Sequence, residues 1–141
     1  MWRRSWLAVL ALFCLISPVM PEEDHKEAIA QAARSARDWL ALVDRGEYGA
    51  AYDTAAAYLK GSIKRPEFEA KMLGARSPLG KLLSRTLDWA RYMTTLPGAP
   101  DGEYVVMKFQ SSFENRKSAV ETISPMREKN GKWHVAGYYI K

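Results

Sequence analysis

The side chains of this chain best suited to nucleophilic, acid–base or metal chemistry are two histidines and one cysteine, and they stand apart from one another. His134 falls in a predicted strand, and a catalytic histidine needs a carboxylate partner and a nucleophile or substrate within reach. No nucleophile elbow, glycine-rich phosphate loop or zinc-ligand spacing accompanies it. His25 lies in an acidic lead-in, where we expect solvent around it. Cys14 is alone, which excludes a disulfide framework and a cysteine zinc site. We therefore predict no catalytic residue, no metal and no cofactor.

Aromatic side chains are the next candidates, because the chain has seven tyrosines and five tryptophans. Five aromatic residues could line a ligand cavity between helices and a sheet, namely Trp39, Tyr52, Trp89, Phe109 and Tyr139. The alternative is ordinary core packing, since each lies on a predicted apolar face.

Arg76 stands just before Ser77-Pro78 in a predicted loop, where its guanidinium could bind a carboxylate or a phosphate. The alternative is that Arg76 fastens this loop to a helix C-terminus or to an acidic neighbour. The other basic residues are spread over several turns, whereas nucleic-acid-binding proteins concentrate them on one face with aromatic platforms. We therefore predict no nucleic-acid partner, and expect an envelope partner or a small molecule.

Residues 1–21 have the pattern of an export signal. Arg3 and Arg4 begin the segment, Trp6 to Ile16 form an unbroken apolar run, and Pro18 ends it. The run is too short to cross a bilayer comfortably. We predict a periplasmic or secreted protein, with an uncleaved membrane tether as the alternative. Lipidation of Cys14 is disfavoured, since a large side chain precedes it.

Length and composition predict one folded domain over residues 22–141. The chain has 141 residues, of which 48% are hydrophobic and 26% charged, and its formal charge is +5. Such a balance is typical of a globular protein, and the length leaves no room for two domains of ordinary size.

Three helices are expected in the first half of this domain. Apolar residues recur at helical spacing from Ile29 to Val43 and from Tyr48 to Leu59. Pro66 is placed where a missing backbone N–H costs nothing, in the first turn of a helix. The predicted spans are about 23–44, 47–60 and 65–73, ended by Gly46, Gly61 and Gly74.

The second half alternates between apolar and polar residues, which predicts strands over about 103–113, 118–126 and 132–140. Asn130-Gly131 predicts a two-residue hairpin with positive φ at both positions. The pattern of Leu82 to Met93 fits a strand and a helix equally well. Helices followed by an antiparallel meander predict an α+β fold with the helices on one face of the sheet.

Several motifs resemble a family of small exported bacterial proteins, domain of unknown function 4019. They are Ala36-x-x-Trp39-Leu40-x-Leu42-Val43-Asp44-x-Gly46-x-Tyr48, Arg76-x-Pro78-Leu79-Gly80, Leu96-Pro97-Gly98-x-Pro100-Asp101-Gly102-Glu103-Tyr104-Val105-Val106, Ala119-Val120-Glu121-Thr122 and Gly131-x-Trp133-x-Val135-Ala136-Gly137-Tyr138-Tyr139-Ile140. The family is similar to the cone-shaped fold of nuclear transport factor two and ketosteroid isomerase, a cystatin-like arrangement. The resemblance implies that Leu82 to Met93 is a strand, so that three N-terminal helices pack on a curved four-stranded antiparallel sheet, and it implies no activity.

Isomerases of the cone fold set an acidic base in an apolar pocket, opposite a hydrogen-bond donor such as tyrosine. Of the available carboxylates, which are Asp53, Asp88, Glu103 and Glu121, the best candidate is Glu121. The pattern leaves its face open, and a mid-strand Glu is more often paired with Lys or Arg on the solvent face. We therefore expect a non-catalytic binding or interaction module of the bacterial envelope. The alternative is a small-ligand pocket protein or isomerase-like enzyme. The sheet face with Tyr104 and Val106 could support a homodimer.

Overall fold

The structure is a computed structural model that describes the backbone of residues 22–141 and the side chains of residues 25–141. The predicted export signal lies outside these residues. Four α-helices and a 3₁₀ turn (Ser77–Leu79) precede four strands. The elements are α1 (Glu22–Asp44), α2 (Tyr48–Asp53), α3 (Ala57–Ser62), α4 (Arg65–Arg76), β1 (Leu82–Met93), β2 (Tyr104–Phe113), β3 (Arg116–Arg127) and β4 (Trp133–Ile140). Among the described helices, none has the length and apolar character needed to span a membrane.

The four strands form one antiparallel sheet in the order β1-β2-β3-β4. The α+β prediction is confirmed, and the ambiguous segment from Leu82 to Met93 is a strand. Register shifts at Leu82/Ser84 and Leu87/Trp89 place β-bulges in β1, which bend and twist a strand. Because side chains alternate between the faces of a sheet, Val105, Met107 and Phe109 share the inner face and are buried.

Helix α1 lies against this inner face and supplies much of the core. Ala32, Ala36, Trp39, Leu40 and Val43 recur at helical spacing and are each at most 3% exposed. The helix ends where predicted, because Gly46 has φ +74° and its N–H donates to Val43 O at 3.0 Å. A left-handed residue after the last turn is a common way to end a helix.

The predicted second helix over 47–60 is wrong as one element, because α2 and α3 are separate. Ala56 is extended (φ −60°, ψ 149°) and its N–H donates to Val135 O in β4 at 2.8 Å. Ala55 and Ala56 are buried. The backbone therefore leaves the helix to bond the edge of the sheet, and helical apolar spacing continues across the break.

The predicted stops at Gly61 and Gly74 are wrong, since α3 continues through Gly61 to Ser62. Helix α4 begins at Arg65 with Pro66 in its first turn, but it continues through Gly74 to Arg76. A Cβ at Gly74 would meet nothing within 4 Å and the φ is ordinary, so this glycine does not require a stop.

The β3–β4 connection is a longer turn than the two-residue hairpin. Glu128 N–H donates to Lys132 O at 2.8 Å and Gly131 N–H donates to Glu128 O at 2.8 Å. Gly131 has φ +81°, whereas Asn130 does not have a positive φ. The side chain of Asn130 instead accepts the Lys132 N–H at 3.0 Å, which satisfies the turn without the left-handed pair.

Candidate functional site

Glu121 lies on the inner face of β3, between Ala119 and Ile123, and is 0% exposed. The solvent-facing alternative for this mid-strand glutamate is therefore wrong. Both flanking inner residues are small or apolar, so the carboxylate would be costly to bury without partners.

Four hydrogen bonds occupy the Glu121 carboxylate. Arg85 on β1 donates from Nε to Oε1 at 2.7 Å and from Nη2 to Oε2 at 3.1 Å. The Ser111 hydroxyl donates to Oε1 at 2.5 Å and the Tyr138 hydroxyl donates to Oε2 at 2.5 Å. Each oxygen thus accepts two hydrogen bonds from groups on β1, β2 and β4.

Asp44, the last residue of α1, is the second carboxylate of this network. Arg85 reaches it with Nη1 to Oδ2 at 2.7 Å and Nη2 to Oδ1 at 2.9 Å. Arg76 donates from Nη2 to Oδ1 at 2.7 Å. The ion network of Asp44, Arg76, Arg85 and Glu121 therefore contains two acids and two bases, which balances the buried charge.

Arg76 is the most buried cation of the network, with a side chain 5% exposed. Its guanidinium carbon lies 4.8 Å from the centre of the Phe113 ring, a favourable cation–π distance. Its Nη1 is 3.9 Å from Glu121 Oε2. Arg76 thus fastens the C-terminal end of α4 to Asp44 at the end of α1.

The electrostatics of the network favour the ionised acids. Burial alone raises the pKa of Glu121, but the hydrogen bonds and charge of Arg85 outweigh burial and hold this pKa below its usual value. Asp44 behaves alike, since Arg85 and Arg76 lower its pKa against the effect of burial. Burial and the neighbouring Glu121 charge raise the pKa of Tyr138, which keeps its hydroxyl a donor.

A comparison with protein families matches the part of the chain that contains the ion network. A model of the family described as Protein of unknown function (DUF4019) matches residues 35–138. The chain belongs to this family. No curated protein and no solved structure matches the chain significantly. Every residue of the ion network lies inside the matched range of this DUF4019 member, as do the Ser111 and Tyr138 donors.

The six predicted pocket residues are not brought to one cavity in this DUF4019 member. Trp39 and Phe109 are 3% exposed and belong to the core cluster, and Glu121 is held in the ion network. Tyr52 packs on Phe68, with ring centres 5.5 Å apart. The remaining two, Trp89 and Tyr139, lie on β1 and β4 on the face of the sheet that points away from the helices. A ligand role for these residues stays a prediction.

The other acidic candidates sit in surface contacts. Asp53 pairs with Arg65 at 3.2 Å, and Asp88 accepts a long hydrogen bond from Gln110 at 3.4 Å. Glu103 accepts from the Tyr92 hydroxyl at 3.1 Å. Within residues 25–141, no group of three or more histidine, cysteine, aspartate or glutamate side chains is arranged to hold a metal ion.

Tyr104 is 0% exposed, which removes it from the proposed dimer face. Its hydroxyl donates to Pro100 O at 2.5 Å, so the β1–β2 loop covers the ring. Val106, two residues on, is half-buried. Any contact through this sheet face therefore depends on residues other than Tyr104.

A surface groove of about 490 Å³ lies between α1 and the β3–β4 turn. Trp39 and Trp133 contribute apolar walls, and Asp38 and Lys132 contribute charged groups. The Ser35 hydroxyl, which is part of the lining, donates to Trp133 O at 2.8 Å. This groove could bind the apolar part of a small ligand, with a charged group near its rim.

Asp44, Arg85, Ser111 and Tyr138 are network residues that the sequence analysis did not single out. Arg85 did carry a signal, because it alternates with Leu83 and Leu87 along the strand pattern, where an arginine needs a partner to be buried. Asp44 looked like an ordinary helix-end residue. Nothing local marks it as the partner of a residue 41 positions away.

Proposed function

We propose that this protein is a non-catalytic binding or interaction module of the bacterial envelope, built on the cone-shaped fold named above. The observation that carries the proposal is the occupied carboxylate of Glu121. A general base needs an oxygen free to take a substrate proton and a pKa near the working pH. Both oxygens of Glu121 already accept hydrogen bonds, and Arg85 lowers its pKa.

The packing of the inner face of the sheet also supports a non-catalytic protein. In a cone-fold enzyme the space between helix and sheet holds the substrate. Here that space is taken by buried apolar side chains from α1 and β2, among them Leu40, Val43, Met107 and Phe109. The ion network lies beside them, with Glu121 on the same inner face. Binding is then left to the outside of the molecule, and export of residues 22–141 would place that outside in the envelope.

The groove between Trp39 and Trp133 supports a second candidate, a small-ligand binding protein. The aromatic lining suits the apolar part of a ligand, and Asp38 and Lys132 offer it charge partners of both signs. A small-ligand binding protein of this kind needs neither a catalytic residue nor an empty cavity in the core. An Asp38→Asn variant separates the two candidates, because only the groove ligand loses a charge partner.

The test compares Tyr138→Phe with Tyr52→Phe in the full chain. Each change removes one hydroxyl, but only Tyr138 contacts Glu121. The readouts are recovery in the envelope fraction and the yield of partner cross-links per folded molecule. We expect both variants to retain both properties. Loss of function in Tyr138→Phe alone, at normal protein level, would indicate that the Glu121–Tyr138 pair performs chemistry. A protein found only in the cytoplasm would contradict the envelope role.

A further inference from the structure

The sheet face that points away from the helices carries cations placed on aromatic rings. Trp89 and Lys108 are register partners, with Lys108 Nζ 5.5 Å from the indole centre, and Arg91 Cζ lies 4.7 Å from the same ring. At the far edge, Lys141 follows directly after β4, and its Nζ lies 5.7 Å from the Tyr139 ring. We define the outer face by these five residues together with Val120, the backbone partner of Lys141.

This face has little acidic charge of its own. Only two acidic residues occur in the four strands, Asp88 and Glu121. Glu121 points inward to the ion network, so Asp88 is the one acidic residue of the strands that remains for the outer face. The helical side differs, because its cations meet acids, as in Arg65–Glu69 at 3.0 Å and Lys71–Glu67 at 3.5 Å.

We infer that the outer face docks on an anionic phospholipid surface. Cations near such a surface each contribute about 1 kcal/mol of binding. Tryptophan and tyrosine favour the boundary between head groups and acyl chains, where one end of the ring is apolar and the other meets water. Tyr139 is 51% exposed, so its ring is available for that contact. The inference rests on the proposed envelope role and names the partner of that module.

Charge also argues against a second copy as the occupant. A two-fold interface brings the same patch of both subunits together. The patch carries Arg91, Lys108 and Lys141, so pairing it with itself would bring an excess of positive charge together, which is unfavourable. An anionic lipid surface complements the same cations.

The experiment measures binding of the full chain to phosphatidylglycerol vesicles and to phosphatidylcholine vesicles. The test variant is Arg91→Gln with Lys108→Gln, and the matched control is Arg34→Gln with Lys71→Gln on the helices. Both pairs lower the net charge equally, and all proteins keep residues 1–21. The ratio of the two vesicle affinities therefore isolates the electrostatic part of binding, and the thermal midpoint of each variant checks folding.

We expect the test pair to lose about 25-fold in this ratio and the control pair less than about threefold. Raising salt from about 50 mM to about 500 mM should remove the difference, because salt screens exposed charges. Equal losses in both pairs, or no preference of the wild-type chain for phosphatidylglycerol, would overturn the inference.

Two other occupants have their own readouts. A dimer that dissociates in Arg91→Gln with Lys108→Gln, seen by sedimentation equilibrium, would assign the face to a second copy. Tighter binding to a single-stranded oligonucleotide than to phosphatidylglycerol vesicles at the same salt would assign it to nucleic acid. Either result overturns lipid docking. If vesicle binding fails while envelope cross-links persist, the proposed function stands and only the lipid partner is wrong.

Discussion

Glu121 is a glutamate beside a tyrosine, as the general base of an isomerase can be. Its hydrogen bonds and ion pairs nevertheless indicate a structural role. Arg85, Ser111 and Tyr138 satisfy both carboxylate oxygens. A buried carboxylate held in this way stabilises the ionised form and has no lone pair directed at a substrate. The chemistry of the residue is set by its partners, which lie on three other strands.

We expect Glu121→Gln to lower the free energy of unfolding by about 3–5 kcal/mol. The amide keeps the shape of the side chain but removes the charge that compensates Arg85, and uncompensated buried charge is costly. Urea unfolding measures the change. Glu67→Gln on α4 is the control, since its side chain is 59% exposed and should change stability by under about 0.5 kcal/mol. Equal stability of Glu121→Gln and the wild-type chain would contradict the structural role.

Acid should destabilise the protein through Asp44 and Glu121. Their pKa values are lower in the folded chain than the ordinary 3.8 and 4.5. Stability from a lowered carboxyl pKa is complete above the unfolded value and is lost as pH falls through the folded value. We expect the urea midpoint to fall from about pH 5 downwards. Glu121→Gln should show a shallower fall than Glu67→Gln, and a midpoint that rises on acidification would refute the assignment.

Residue type and alternation did not determine the face of Glu121. Its neighbours Val120 and Thr122 are compatible with burial, and so are Ala119 and Ile123. Only the long-range partners decide the question, since Arg85 lies 36 residues away and becomes a neighbour through β-pairing. Sequence alternation is a local signal, and an ion pair between distant strands leaves no local trace.

At the scale of the element, α1 depends on one aromatic anchor. Trp39 is 3% exposed, packs against Tyr138 with ring centres 5.3 Å apart, and donates its Nε1–H to Ala51 O at 2.8 Å. The indole therefore connects α1 to α2 and to β4.

We expect Trp39→Ala to cost about 3–5 kcal/mol in unfolding free energy, because it opens a cavity at this junction. Trp39→Phe keeps most of the buried surface and loses the hydrogen bond, so it should cost less. Both are measured by urea unfolding. A melt of Trp39→Ala unchanged within error, or a larger loss in Trp39→Phe, would contradict the anchor.

Two glycines that end elements make a matched pair. Gly46 has φ +74° with open space around it, and Gly80 has φ +75° with Glu114 Cβ 3.0 Å from a built Cβ. A side chain in the left-handed region costs about 1–2 kcal/mol. We expect Gly46→Ala to show that cost alone and Gly80→Ala to exceed it. Thermal midpoints of the two variants give the comparison, and equal midpoints would mean that the Glu114 contact relaxes freely.

The elements differ in how well sequence predicts them. The last three strands were predictable because they alternate, and Gly46 marked the end of α1. The pattern of Leu82 to Met93 left β1 open, and only the family resemblance implied a strand there. The separation of α2 from α3 was not, since Ala56 leaves the helix to bond Val135 in β4. A helical spacing of apolar residues indicates which side chains face the core. It does not change when a distant strand accepts a hydrogen bond from one backbone N–H, as Val135 does from Ala56.

At the scale of the molecule, the ion network connects the ends of two helices to the sheet. Asp44 ends α1, Arg76 ends α4, and Arg85 and Glu121 lie on β1 and β3. Burying such a network gives modest net stability, because desolvation offsets most of the attraction between the charges. We expect its larger effect to be on arrangement, since each buried charge favours the packing that keeps its partner within reach.

This view predicts strong coupling between Arg85 and Glu121. Arg85→Met and Glu121→Leu each leave an unbalanced buried charge, whereas the double variant leaves Asp44 and Arg76 as a balanced pair at 2.7 Å. Unfolding free energies of the wild-type chain, both single variants and the double variant form a double-mutant cycle. We expect the double variant to be more stable than the sum of the single losses by about 1–3 kcal/mol. Additive losses would mean that Arg85 and Glu121 act as separate contacts, and the pair would then contribute no coupling between β1 and β3.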